Sequence, residues 1–163
     1  MIVIALGGNL ISDAGPPEAT IAAALAELAL RGIRPVRVSP MYASQAWPDP
    51  HDPPYANAVA RLETSLSPET LMREFEAVEA KFGRIRARPN APRTLDIDLL
   101  DYNGLVRELD PTLPHPRMET RAFVLIPLGD IAPLWRHPVS GTTIRELIAA
   151  LPEAERTLHR LRG

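Results

Sequence analysis

Arg93-Thr94-Leu95-Asp96-Ile97-Asp98-Leu99-Leu100 sets two carboxylates into an otherwise apolar run, and the reading of the whole chain turns on how this stretch folds. As a β-strand it alternates faces, so Asp96 and Asp98 project together while Leu95, Ile97 and Leu99 enter the core. Two neighbouring carboxylates repel each other and resist desolvation unless a cation lies between them. Mg²⁺ suits that place, because it favours carboxylate oxygens and substrate phosphates. Arg93 just ahead adds a planar, permanently charged fork that fits phosphate. A bare Asp-x-Asp also fits the solvent-facing half of an edge strand, so the flanking sequence must decide.

The chain has 163 residues, enough for one domain with a real core, and residues 1–163 read as a single unit with no repeat or internal boundary. With no cysteine, a disulfide framework and a thiolate metal site are excluded. Eighteen basic against 20 acidic residues give a net charge of −2, which argues against a nucleic-acid binder driven by bulk positive charge. Met1 runs directly into an apolar strand without a basic leader, and no apolar run is long enough to cross a bilayer. A soluble cytoplasmic monomer without membrane or nucleic-acid partners is the expectation. The 18 prolines cluster at Pro48 to Pro54, Pro89 to Pro92 and Pro111 to Pro116, marking loops between apolar segments.

Ile2 to Leu6 reads as a buried strand entering a tight turn at Gly7-Gly8-Asn9. Pro17 to Leu30 carries Ile21, Leu25 and Leu28 at helical spacing, with Gly32 as the stop. Pro35 to Ser39 alternates as a strand running towards Met41-Tyr42, and Tyr55 to Leu62 alternates again with Tyr55, Asn57 and Val59 on one face. Between them, Trp47 in a proline-rich loop fits either the rim of a pocket for a flat, polar-edged ring or an apolar plug that ties the loop down. Ser67-Pro68-Glu69 opens a second helix, whose buried stripe is Leu71, Phe75, Val78 and Phe82 at i, i+4, i+7 and i+11. The adjacent stripe Met72, Glu76, Glu79 borders a ligand or faces solvent.

Gly83 ends that helix, and Arg84 to Arg93 carries four arginines without an acid. Such a loop is either simply solvated or an anion site, since arginine grips phosphate through paired, charge-assisted hydrogen bonds. It leads straight into Asp96 and Asp98, so phosphate cations and metal carboxylates converge. After Tyr102, Asn103-Gly104 predicts a hairpin turn with Val106 to Leu109 pairing back. His115 sits rigidly between two prolines, which suits a structural histidine or one held beside an anion. Thr143 to Leu151 predicts a short amphipathic helix, and Glu153 to Gly163 a helical surface tail.

Taken in order, Gly7-Gly8-Asn9, Tyr55-Ala56-Asn57, Gly83-Arg84-Ile85-Arg86, Pro92-Arg93-Thr94-Leu95-Asp96-Ile97-Asp98 and Leu113-Pro114-His115 with Arg121 and Phe123 resemble the 6-hydroxymethyl-7,8-dihydropterin pyrophosphokinases of folate biosynthesis. The likeness spans nearly the whole chain, and the Pro-Arg-Thr-Leu-Asp-Ile-Asp run is its most specific part. It implies an α+β, ferredoxin-like βαββαβ sandwich with an added C-terminal hairpin and short helices. It also implies transfer of pyrophosphate from ATP to the pterin hydroxymethyl oxygen, with AMP released. Carried over by position, Asp96 and Asp98 would ligate two Mg²⁺ ions, and Arg84 and Arg93 would hold the phosphates in the transition state. Arg86, His115 and Arg121 would be further ATP contacts, with Thr112 and Glu79 beside them. Tyr55 and Phe123 would sandwich the pterin, Asn57 would bind its amide edge, and Ser44 would line the same pocket. The chain departs from the family pattern at Gly8, where serine is usual, and at Asn90-Ala91-Pro92-Arg93, which lacks a loop-closing tryptophan and is one residue shorter. Trp47 replaces a smaller apolar residue and would compensate in part.

Two other classes compete. A non-catalytic ferredoxin-like nucleotide or RNA binding module would need exposed aromatics on a basic sheet face, whereas aromatics are 5% of this chain and acids occupy a strand. A two-metal phosphodiesterase would need histidine and carboxylate clusters that the sequence lacks. Phosphoryl-type transfer asks for positioning and charge neutralisation rather than a nucleophilic side chain, which agrees with the residues present. No dedicated general base stands out; Asp98 is the candidate, unless a metal-lowered hydroxyl pKa makes one unnecessary.

Overall fold

The strand containing Asp96 is the edge of a six-stranded antiparallel sheet; the computed structural model describes residues 1–85 and 90–162. In chain order the elements begin with β1 (Ile2–Gly8), α1 (Pro17–Leu30), β2 (Arg34–Val38), β3 (Tyr42–Ser44), β4 (Tyr55–Glu63), α2 (Pro68–Lys81) and β5 (Asp96–Tyr102). They continue with α3 (Ala122–Ile131), α4 (Ile144–Ala150) and β6 (His159–Arg160). The strand order is β5-β1-β4-β3-β6, with β2 also pairing β4.

Alternation along the strands produces two cores. Ile2, Ile4 and Leu6 of β1 and Ile97 and Leu99 of β5 meet Ile21 and Leu28 of α1 and Leu71, Phe75 and Val78 of α2. On the other face Val3, Val59 and Leu100 meet Val124, Leu125 and Leu128 of α3 and Ile144 and Leu147 of α4. The sheet therefore lies between two helical layers, and α3 with α4 leaves part of the second face uncovered. Burying each large aliphatic side chain contributes about 1.5–3 kcal/mol, so both layers matter to stability.

Local chemistry explains the boundaries. Gly32, at φ +77°, closes α1. Ser67 caps α2 by accepting from Thr70 N at 3.3 Å, and Thr143 and Glu146 form a reciprocal capping box on α4. The expected single strand from Pro35 towards Tyr42 is instead two. Pro40 has no N–H for the ladder, and the Ser39 hydroxyl accepts from Val59 N at 3.0 Å where a backbone carbonyl would have stood.

Towards the C-terminus one expectation fails and another holds only in part. Asn103 and Gly104 do take positive φ, 54° and 74°, as a hairpin turn requires. Val106 to Leu109 nevertheless form no strand among the described residues, and the one pairing there is an isolated bridge between Arg107 and Leu113. The C-terminal hairpin is thus replaced by a loop whose His115 N donates to Leu100 O at 2.9 Å. The tail is helical only in an exposed 3₁₀ turn at Glu153–Glu155, after which β6 adds to the sheet edge beside β3.

Candidate active site

The uncovered part of the second sheet face is built from two rungs. In the first, Asp96, Gly7, Asn57 and Tyr42 are consecutive partners across β5, β1, β4 and β3; in the second, Asp98, Ala5 and Val59 are partners. Gly7 has no side chain, and a Cβ there would stand 3.2 Å from Asn57 Oδ1. Glycine and alanine between the acids and Asn57 thus leave the floor of a cavity of about 730 Å³. Small residues opposite the acids were invisible as a signal until strand pairing set the register.

Both oxygens of Asp96 accept from arginines: Oδ1 from Arg84 Nη1 at 2.6 Å and Oδ2 from Arg93 Nη1 at 2.9 Å. Burial works against the Arg84 charge, but Asp96 and Glu79 outweigh it and raise its guanidinium pKa above the usual value. Glu79 is only 3% exposed; its Oε1 lies 2.6 Å from Arg84 Nη1 and accepts from Ile97 N at 2.7 Å. It therefore stands beneath Arg84, bonded to β5 rather than lining the cavity.

Asp98 has looser company. His115 Nε2 is 3.8 Å away and Arg121 Nη1 3.6 Å, distances that leave room between the charges. Burial, then the neighbouring Asp96 charge, raises the Asp98 carboxyl above the usual carboxylate range, with His115, Arg121 and Arg84 pulling the other way. Burial likewise lowers the His115 imidazole, against the attraction of Asp98. His115 Nδ1 accepts from Arg117 N at 3.2 Å, so in the neutral ring the proton lies on Nε2, facing Asp98.

The aromatic wall lies beside this charged one. Asn57, 5% exposed, donates through Nδ2 to Ser44 Oγ at 2.9 Å and to Tyr42 O at 3.2 Å, which leaves its Oδ1 towards Gly7 and the cavity. Tyr55 and Phe123 both line the cavity, the latter carried by the first turn of α3. Each ring has a guanidinium against it: Arg93 Cζ is 6.0 Å from the Tyr55 centroid and Arg121 Cζ 5.6 Å from that of Phe123. Trp47, 71% exposed, lines the same cavity with Asn90, so it sits at the rim rather than plugging the loop.

Of the predicted site residues, Ser44, Tyr55, Asn57, Arg84, Arg93, Asp96, Asp98, Arg121 and Phe123 line one cavity, and His115 adjoins it through Asp98. Thr112 is exposed, donates to Glu108 O at 3.4 Å, and is not among the lining residues. Arg86 lies outside the described residues. Gln45, Arg117 and Thr120 line the cavity without having been singled out in the sequence. Among the described residues no group of three or more His, Asp or Glu side chains could hold a metal alone. Two carboxylates side by side, with arginines near, form a donor set suited to Mg²⁺ that shares its coordination with water and phosphate.

The fold and site define a class: an antiparallel sheet holding one cavity with two carboxylates framed by arginines on one side and two aromatic rings on the other. Comparison with known proteins is more specific. The family model described as 7,8-dihydro-6-hydroxymethylpterin-pyrophosphokinase (HPPK) matches residues 3–133. The chain is 47% identical over 150 residues to the 2-amino-4-hydroxy-6-hydroxymethyldihydropteridine pyrophosphokinase of Synechocystis, covering 90% of this chain and 73% of that protein. It is 42% identical over 153 residues to the protein of the same name from Pseudomonas aeruginosa, covering 93% and 91% respectively. The crystal structure of Plasmodium falciparum HPPK-DHPS matches with TM-score 0.67 at 15% identity, over 90% of this chain and 43% of that longer one, a likeness of fold. The chain belongs to the HPPK family.

Proposed function

We infer that this protein transfers the pyrophosphoryl group of ATP to the hydroxymethyl oxygen of 6-hydroxymethyl-7,8-dihydropterin in folate biosynthesis. The observation that carries the reading is the meeting, in one cavity, of Asp96 and Asp98 with Arg84, Arg93 and Arg121 on one side and Tyr55, Asn57 and Phe123 on the other. The pterin ring would lie between Tyr55 and Phe123, with Asn57 Oδ1 accepting from its amide edge and Ser44 holding the Asn57 amide. The triphosphate would lie along Arg84, Arg93 and Arg121, with His115 beside it. The pterin hydroxyl oxygen then bonds to the β-phosphorus as the bond from that phosphorus to the α,β-bridging oxygen breaks, and AMP leaves with that oxygen. Asp98 would take the hydroxyl proton, unless a metal-lowered hydroxyl pKa makes a base unnecessary.

Asp96 and Asp98 would hold Mg²⁺, two ions in this reading, which would neutralise phosphate charge and lower the pKa of the attacking hydroxyl. The arginines that satisfy Asp96 are the same ones assigned to the phosphates. Arrival of the nucleotide would draw Arg84 and Arg93 from carboxylate to phosphate and free Asp96 as a ligand. Glu79 keeps Arg84 from being lost in that exchange, so its role is to position Arg84; Thr112 stays a peripheral nucleotide contact.

The ferredoxin-like description is supported by β1-α1-β2-β4-α2-β5 with β1 and β4 central, β5 outside β1 and β2 outside β4. We take residues 1–163 as one catalytic unit, acting as a cytoplasmic monomer; no helix among the described residues is long and apolar enough to cross a membrane. Incubation with ATP, Mg²⁺ and the hydroxymethyl dihydropterin should give AMP in proportion to pterin consumed. ADP in its place, or no pterin-dependent AMP, would overturn the reading.

A further inference from the structure

We propose that Asn9 is a positioning residue that couples the pterin-side loop to Arg93, an inference that rests on the pyrophosphokinase reading. Asn9 is 4% exposed, lies just past β1 and is not among the cavity-lining residues. Its Nδ2 donates to Pro53 O at 3.0 Å, and its Oδ1 accepts from Arg93 N at 2.9 Å. The backbone closes the same joint: Asn9 N and Leu10 N donate to Arg93 O at 2.9 and 3.2 Å. Both main-chain polar groups of Arg93 are therefore held by this turn.

The two partners serve opposite sides of the cavity. Pro53 ends the loop that carries Trp47 and delivers the chain to Tyr55, whereas Arg93 reaches Asp96 and lies against the Tyr55 ring. The joint is also tight, since a Cβ on Gly8 would stand 2.3 Å from Thr94 O, so β1 and the Arg93-Thr94 segment approach through bare backbone. Only a side-chain amide of this length both donates to one segment and accepts from the other. An aspartate keeps the acceptor and loses the donor; an alanine loses both.

That asymmetry makes the test. In Asn9→Asp, loss of one neutral hydrogen bond to the loop should raise KM for the pterin roughly tenfold while kcat stays within about threefold of wild type. In Asn9→Ala, released Arg93 should also lower kcat by about 10²-fold, the scale of a displaced catalytic group. Amide exchange at Arg93 should quicken in Asn9→Ala and stay slow in Asn9→Asp. Affinity for a non-hydrolysable ATP analogue should be unchanged in Asn9→Asp. A pterin KM in Asn9→Asp within about twofold of wild type, or a kcat as low as that of Asn9→Ala, would overturn the coupling. If Asn9→Ala does not fold, Asn9→Asp alone decides through KM and Arg93 exchange. Failure of the parent reading looks different: wild type itself would then release no pterin-dependent AMP.

Discussion

Asp98 and Asp101 stand three residues apart on β5, turn to the same side of the sheet, and have opposite fates. Asp101, at the end sealed by α3 and α4, accepts from Trp135 Nε1 and from Gly104 N, each at 2.8 Å. Asp98, at the open end, has among the described residues Arg121 Nη1 at 3.6 Å and His115 Nε2 at 3.8 Å. A register shift between Val3 and Ile4 brings Leu100 and Asp101 both to the sealed side. A buried acid whose donors touch it is finished structure. One whose described neighbours stand off leaves room for a further partner.

Exchanging the two acids for amides should separate these roles, and the largest effect belongs to Asp98. Asp98→Asn should cost turnover by on the order of 10³-fold, with a melting temperature equal to or above wild type, because removing one of two neighbouring carboxylates relieves repulsion. Near-normal AMP production by this variant would end the metal assignment. Next in size, Phe123→Ala should raise KM for the pterin by about 10- to 100-fold, the scale of one lost stacking face, and leave nucleotide binding near wild type. An unchanged KM would remove Phe123 from the ring site. Asp101→Asn should do the reverse of Asp98→Asn, destabilising by about 1–3 kcal/mol in denaturant melts while kcat stays put. If it damaged turnover first, the division between sealed and open ends would be wrong.

The smallest effect lies outside the site, where Arg107 Nη1 bonds Glu69 Oε1 at 2.5 Å and holds its carboxyl down at about 2. Because the folded value lies below the unfolded one, the ion pair stabilises above about pH 4.5 and that contribution is lost as pH falls towards 2. Glu69→Gln should flatten this acid limb in pH-dependent melts, slightly, since the pair is solvent-exposed and screened. An acid limb unchanged in the variant would assign it to other carboxylates.

The legible parts of this protein were those where short-range chemistry decides. The Asp96-Asp98 strand followed from alternation, and the start of α2 from a serine cap and a proline. What stayed hidden depends on pairing at a distance. Phe123 to Leu128 is continuously apolar and holds Pro127, so periodicity could not declare α3, whose helical state comes from packing on Val3 and Val59. β6 is a strand only because the β3 edge offers it partners. Periodicity sets Glu79 on a stripe beside the core, yet its burial under Arg84 depends on where β5 docks. In the sequence Asn9 reads as no more than part of a turn, because its two partners lie 44 and 84 residues away.

The bare backbone of Gly7 has a consequence for inhibition. A pterin mimic lying over that floor would rest on a position where any new methyl meets Asn57, the residue assigned to the natural ring as well. Resistance selected against such a compound should therefore arise at the rim, at Trp47 or Asn90, and sequencing of escape clones would show whether Gly7 is indeed closed to mutation.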